Sequence, residues 1–184
     1  MKIVFLDRDG VINQYPGDFK YVTNVDEFRL LTGARQALEK LSAAGFKLFV
    51  VSNQAGVSKG IFSQQALDAI TERMKQKLGE KVCFSGIYYC THLSEQECSC
   101  RKPKTGLLDM AIAGLRQQGL EVDVANSYFV GDTIIDVETG RKAGLKTILV
   151  FSGKEKPENK LKWNVVPDFT AYDLSEAVDI ILNF

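Results

Sequence analysis

Short apolar runs alternate along this chain with stretches in which apolar positions recur every third or fourth residue. Ile3-Val4-Phe5-Leu6, Phe46-Lys47-Leu48-Phe49-Val50-Val51, Gly86-Ile87-Tyr88-Tyr89-Cys90, Tyr128-Phe129-Val130 and Lys146-Thr147-Ile148-Leu149-Val150 have strand length and the near-continuous apolar character of strands covered on both faces. Between them, Ala34, Ala37, Leu38 and Leu41 keep helical spacing, as do Leu67, Ile70, Met74 and Leu78, then Leu108, Ala111, Ile112 and Leu115. A helix from about Ile134 to Ala143 and another through Leu174, Ala177, Val178 and Ile181 complete the series. Thr32, Ser63, Thr105 and Asp173 stand where N-caps belong, and Gly45, Gly119 and Gly144 where helices stop. Strands alternating with helices predict an α/β fold, a Rossmann-like, mainly parallel sheet with helices on both faces. Two stretches lack a period: residues 13–27, expected as a loop near the sheet edge, and the lysine-rich residues 153–164 around Trp163, expected as a solvated loop.

Composition narrows the picture. At 184 residues the chain is long enough for one filled core, which suggests a single domain over residues 1–184 without a large inserted cap. Lys plus Arg and Asp plus Glu both number 23, so no broad field favours nucleic acid or an anionic membrane, and any anion site must be local. No run has the length of a membrane span, and no signal-type segment opens the chain, so a cytoplasmic protein is expected. Cys90, Cys98 and Cys100 crowd around the lone histidine, His92. Three thiols and an imidazole at this spacing form a set typical of structural zinc. A Cys98–Cys100 disulfide would be strained, and a reducing compartment disfavours it.

In a parallel α/β sheet ligands bind beyond the C-terminal strand ends. Asp7 and Asp9, Ser52 and Asn53, Arg101 and Lys102, and Asp132 all follow apolar runs, the third pair after the cysteine-rich insertion. Residues i and i+2 of an extended chain face one way, so Asp7 and Asp9 are expected to point at one spot, where two like charges call for a divalent cation.

These motifs resemble the haloacid dehalogenase superfamily of phosphatases: Asp7-Arg8-Asp9-Gly10 matches the first motif, Val51-Ser52-Asn53 the second, Lys102-Pro103 the third and Gly131-Asp132-Thr133-Ile134-Ile135-Asp136 the fourth. Within it, Cys90-Thr91-His92, Cys98-Ser99-Cys100 and Arg101-Lys102-Pro103 resemble the small branch of heptose 1,7-bisphosphate and histidinol-phosphate phosphatases. The resemblance implies Asp7 as nucleophile, Asp9 as general acid and then base, and Mg2+ held by Asp7, Asp132 and the Asp9 carbonyl. It further implies Lys102 as a charge clamp and Ser52 and Asn53 as donors to the phosphoryl group, with a small sugar bisphosphate as substrate and loss of its C7 phosphate. Histidinol phosphate is the alternative. Arg101 and Lys59 are expected to reach a distal part of the substrate. Zn2+ on Cys90, His92, Cys98 and Cys100 would order the loop at about residues 90–101, and Asp136 would support the metal ligands from behind. Thr133 departs from the basic residue these phosphatases often carry there, and Lys59 from a frequent Arg-Gly ending. Two other classes stay open: a phosphoacceptor signalling domain, which has no need of an acid placed like Asp9, and an inactive zinc-stapled binding module.

Overall fold

The computed structural model describes residues 1–184. Six strands form one parallel sheet: β1 (Ile3–Leu6), β2 (Lys47–Asn53), β3 (Phe84–Cys90), β4 (Tyr128–Gly131), β5 (Lys146–Val150) and β6 (Phe169–Ala171). Their spatial order is β3-β2-β1-β4-β5-β6. Helices α1 (Ala34–Ala43), α2 (Gln64–Leu78), α3 (Gly106–Gln117), α4 (Ile134–Lys142) and α5 (Leu174–Asn183) join and follow them. No helix is long and apolar enough to cross a membrane.

The two sheet faces follow from the two-residue period of each strand. Val4 and Leu6 join Leu48, Val50, Val130 and Ile148 in one core with α1, α2 and α5. Ile3 and Phe5 face the other way, into a core with Phe49, Val51, Phe129 and α3. Phe5 lies between two aromatic neighbours, with ring centroids 5.5 Å from Phe49 and 6.4 Å from Phe129. Every strand expected from sequence is present.

The differences from expectation have local causes. β6 has only three residues, too few for an apolar run to announce it. Helix α1 begins after Gly33, in the left-handed region at φ 80°, rather than after a Thr32 cap. Thr105 precedes α3 in an αR conformation, and its hydroxyl donates to Asp109 instead of accepting a backbone N–H. Ser63 does cap α2, accepting from Ala66 N at 3.1 Å. Ser63→Ala is therefore expected to lower stability by about 1 kcal/mol in urea unfolding, while Thr105→Ala should cost less. Residues 153–164 are not simply a solvated loop. Pro157–Lys162 form a 3-10 turn, Gly153 is buried, and Trp163 stacks near Phe151 at 6.4 Å.

The strand order reverses beside β1: β2 and β3 lie on one side of it, β4 and β5 on the other. Adjacent C-terminal strand ends that diverge in this way open a crevice. Asp7 emerges from β1 and Asp132 from β4 at this point, and Asp7 N donates to Val130 O at 3.0 Å.

Candidate active site

Four buried charged groups meet in the crevice. Lys102 Nζ lies 2.6 Å from Asp136 Oδ1 and 3.1 Å from Asp7 Oδ1, and it donates to Val51 O at 3.0 Å. Carboxylate oxygens of Asp7, Asp132 and Asp136 lie within 4.8 Å of one another. Three carboxylates thus cluster where one ammonium pairs with two of them, and none of the four residues is more than 9% exposed. Burial raises the Asp7 pKa to about 6, against the opposing pull of Lys102. Burial, followed by repulsion from Asp7 and Asp136, raises that of Asp132 well above the usual carboxylate range. At Lys102 burial works against the charge, but Asp136 and Asp7 outweigh it and hold the pKa above its ordinary value. The unpaired charge is that of two carboxylates, which a divalent cation with oxygen ligands would offset. Asp7 and Asp132 are the carboxylates free to hold it, since Asp136 has one oxygen on Lys102 and the other on Thr133.

Backbone shape brings Asp132 into place. Gly10, at φ 82°, and Gly153 both pack against its carboxylate, and a Cβ at either position would collide with it. Lys154 N then donates to Asp132 Oδ2 at 2.8 Å, and Ser152 donates to Gly10 O at 2.6 Å. Asp136 sits in a capping box at the start of α4, accepting from Thr133 N and from Thr133 Oγ1. Thr133 therefore fixes Asp136, which in turn pairs with Lys102.

Asp9 lines the same crevice as Asp7. Its carboxylate, beyond the end of the strand at Leu6, is held by a second set of partners. Arg8 binds both of its oxygens through Nη2, at 3.0 and 2.9 Å, Asn13 donates to Oδ1 at 2.8 Å, and Gln54 donates to Oδ2 at 2.9 Å. Burial would raise its pKa, but Arg8, Asn13 and Gln54 outweigh burial and leave it lowered. Arg8 is itself fully buried, with its guanidinium 5.7 Å from the Tyr89 ring centre.

Ser52 is buried beside Asp7, and its hydroxyl accepts from Gln54 Nε2 at 3.2 Å. Asn53 lines the crevice, yet its side-chain amide is bonded to the main chain of Lys102. Arg101 and Lys59 are not among the lining residues. Arg101 Nη1 donates to His92 O at 3.1 Å, and Lys59 Nζ lies 5.7 Å from the Tyr21 ring centre. Tyr15, Pro16, Lys20 and Tyr21 do line the crevice, from within the loop that carried no period. Sequence reasoning passed over these four and over Arg8, Asn13 and Gln54. A charged residue set between two acids at a strand end was the one available signal, and it pointed to Arg8.

Beside the crevice, Cys90, His92, Cys98 and Cys100 present four donor atoms within 4.8 Å of one another. Their Sγ–Sγ separations are 3.1, 3.4 and 3.6 Å, and His92 Nδ1 lies 3.1 Å from Cys100 Sγ. Every cysteine is free of disulfides. This spacing is near that of donors about 2.3 Å from one central ion, and a set of three thiols and an imidazole fits Zn2+. Burial pushes the Cys90 thiol up to about 12. At Cys98 burial acts the same way, but hydrogen bonds, that with Cys100 foremost, bring the thiol down to about 6.

A parallel sheet carrying clustered aspartates and a buried lysine at its C-terminal edge is the frame of an aspartate-centred phosphatase. A family model described as HAD-hydrolase-like matches residues 99–177. The chain is 38% identical to the D-glycero-D-manno-heptose-1,7-bisphosphate 7-phosphatase of Chlorobaculum tepidum, over 96% of this chain and 92% of that protein. It is 42% identical to the D-glycero-beta-D-manno-heptose-1,7-bisphosphate 7-phosphatase of Haemophilus ducreyi, over 83% and 85%. The crystal structure of D,D-heptose 1,7-bisphosphate phosphatase from B. bronchiseptica, complexed with magnesium and phosphate, superposes with a TM-score of 0.85 at 31% identity, covering 100% of this chain and 99% of that one. The chain is thus a phosphatase of the haloacid dehalogenase superfamily, and it belongs to the family of the heptose-1,7-bisphosphate 7-phosphatases.

Proposed function

We propose that this chain removes the C7 phosphate of D-glycero-D-manno-heptose 1,7-bisphosphate through an aspartyl-phosphate intermediate, an acyl phosphate on Asp7. The observation that carries the reading is the buried cluster in which Lys102 pairs with both Asp7 and Asp136 while two carboxylate charges remain uncompensated. The names of the relatives supply the substrate.

A phosphomonoester resists attack by an anion because its own oxygens are negative. Mg2+ held by Asp7, Asp132 and the Asp9 carbonyl, with Asp136 behind them, would neutralise that charge and fix the phosphoryl group in line. Lys102 supplies a fixed positive charge against the equatorial oxygens, and the Ser52 hydroxyl can donate to one of them. An Asp7 oxygen then forms a bond to phosphorus as the bond to the leaving sugar oxygen breaks. Asp9 gives that oxygen its proton, and in the second half it takes a proton from the water that attacks the phosphate on Asp7, which returns Asp7 as a carboxylate. To act as an acid, Asp9 has to turn away from Arg8, and the arriving phosphate dianion raises its proton affinity. The crevice itself is about 200 Å3. Tyr15, Pro16, Lys20 and Tyr21 also border an adjoining open hollow of about 690 Å3, which leaves room for a sugar beyond the phosphoryl group.

Phosphate release with Mg2+ from a panel of sugar mono- and bisphosphates and histidinol phosphate tests the assignment. The heptose bisphosphate should give the highest kcat/KM, with release from C7. Preference for histidinol phosphate would overturn the substrate, and absence of any turnover would overturn the reaction.

The protonation of Asp7 sets a pH limit on metal binding. In the metal-free protein Asp7 keeps its proton until about pH 6. Mg2+ must displace that proton below this pH and finds the carboxylate free above it. Asp132, also raised by burial, adds a second proton for the ion to displace, so apparent Mg2+ affinity should fall as pH is lowered from 8 to 5, by about tenfold per pH unit or more below 6. Calorimetric titration from pH 5 to 8 reads this directly, and an affinity unchanged across the range would contradict it.

Cys90, His92, Cys98 and Cys100 would hold a structural Zn2+ that leaves no position open for chemistry, and a reducing cytoplasm suits the three thiols. With Cys98 near 6 and the other two thiols raised, zinc binding at pH 7.5 should expel about two protons. Calorimetry in buffers of different ionisation enthalpy counts them, and release of none would count against a thiolate site.

A further inference from the structure

Asn53 was expected to donate to the substrate. Its side chain instead makes a closed pair of bonds with one residue: Nδ2 donates to Lys102 O at 3.2 Å, and Oδ1 accepts from Lys102 N at 3.1 Å. Lys102 lies outside every helix and strand, so one amide satisfies both of its main-chain polar groups. On the other side, Asn53 is the last residue of β2 and pairs in register with Cys90 of β3. The next residue, Gln54, donates its N–H to Cys90 O at 2.7 Å. The segment that leaves the sheet at Cys90 is thus brought back to the same strand end at Lys102. Between these points Cys98 and Cys100 cluster with Cys90.

We infer that Asn53 is a positioning residue, which fixes the main chain of Lys102 so that its ammonium stands against Asp7 and the transferring phosphoryl group. A lysine side chain has four rotatable bonds and can wander over several ångströms if its Cα is loose. The bonds to Asp7, Asp136 and Val51 O specify where Nζ goes, but they hold it from the far end only. The Asn53 amide fixes the near end. A misplacement of about 1 Å in such a group can cost about a hundredfold in rate, so a bond made only to backbone becomes visible in the chemical step. This inference rests on the reading of Lys102 as a group of the phosphoryl site.

A double-mutant cycle on the full chain with Mg2+ separates positioning from direct contact. Single-turnover rates are measured for the parent, Asn53→Ala, Lys102→Met and the double variant. Asn53→Ala should slow the parent about tenfold to a hundredfold, mainly in kcat, and change the Lys102→Met protein less than about threefold, because residues acting as one unit are not additive. Amide exchange at Lys102 should quicken in Asn53→Ala, since its acceptor is gone. If Asn53→Ala fails to fold, Asn53→Gln keeps the amide while displacing it by one methylene and should show the same non-additivity. Equal slowing in both backgrounds, with Lys102 exchange unchanged, would overturn the inference and return Asn53 to the phosphoryl group. A Lys102→Met protein as fast as the parent would instead defeat the reading of the site itself.

Discussion

Asp7→Asn should reduce phosphate release by about four orders of magnitude or more, the scale on which loss of a covalent nucleophile acts. The carboxamide has nearly the same shape but cannot attack phosphorus at neutral pH. The same change removes one of three crowded carboxylates. Because Asp7 is raised to about 6 chiefly by burial, the folded protein holds that proton more tightly than the unfolded chain, whose Asp titrates near 3.9. The ionised form is therefore a burden on the fold that grows as pH rises from about 4 through 6 and is complete above it. Asp7→Asn should thus be inactive yet at least as stable as the parent at pH 7.5 without Mg2+, and the two should converge near pH 4. Activity assays paired with thermal melts across pH read both halves. An active Asp7→Asn protein would end the covalent mechanism, and a variant less stable at pH 7.5 would end the electrostatic account.

Lys102→Met should be the most destabilising single change in the crevice. Methionine fills similar space but leaves Asp7 and Asp136 without the ammonium that lies 3.1 and 2.6 Å from them. Stripping one partner from a buried charged set typically costs about 3–5 kcal/mol, because the remaining charge stays unsolvated. Loss of a preorganised positive group facing the transition state should also lower kcat by about a hundredfold to a thousandfold. Mg2+ provides a way to tell the charge deficit from a packing fault. Added Mg2+ should raise the melting temperature of Lys102→Met more than that of the parent, since the variant has a larger deficit for the ion to fill. An equal rise in both would assign the loss to packing.

The strands and helices were legible because each carried its own period. Ile3–Leu6 and Lys146–Val150 read as strands from composition alone, and Ser63 marked the start of α2 through a bond to Ala66 within its own turn. β6 escaped because three residues, one of them exposed, give no pattern. At the site, Asp7, Ser52 and Asp132 were readable as polar residues ending apolar runs, Lys102 as one that follows its run after the cysteine-rich insertion, and the parallel sheet gathered them. What sequence could not show was where side chains turn. That Asp9 lines the crevice while Arg8 and Asn13 hold its carboxylate depends on a turn at Gly10 and on Gln54, which reaches Asp9 from another strand end. The roles of residues 15–21 and 153–154 were hidden because loops take their shape from the contacts they make. For Arg101 and Lys59 sequence suggested a charge of suitable sign near a ligand, and what it could not show is that the fold sets the first against His92 O and the second near the Tyr21 ring.

The position of β4 against β1 also governs when the site can exist during synthesis. β1 leaves the ribosome well ahead of the strand that covers its second edge, which begins at Tyr128, and the backbone N–H that steadies Asp132 belongs to Lys154. While β2 and β3 pair on one side, the other edge of β1 waits for more than half the chain. The nascent chain therefore carries Asp7 long before Asp132 can stand beside it, and with an open apolar edge, the kind of surface that holdase chaperones cover. Catalytic competence arrives late, when the fourth strand slots into place.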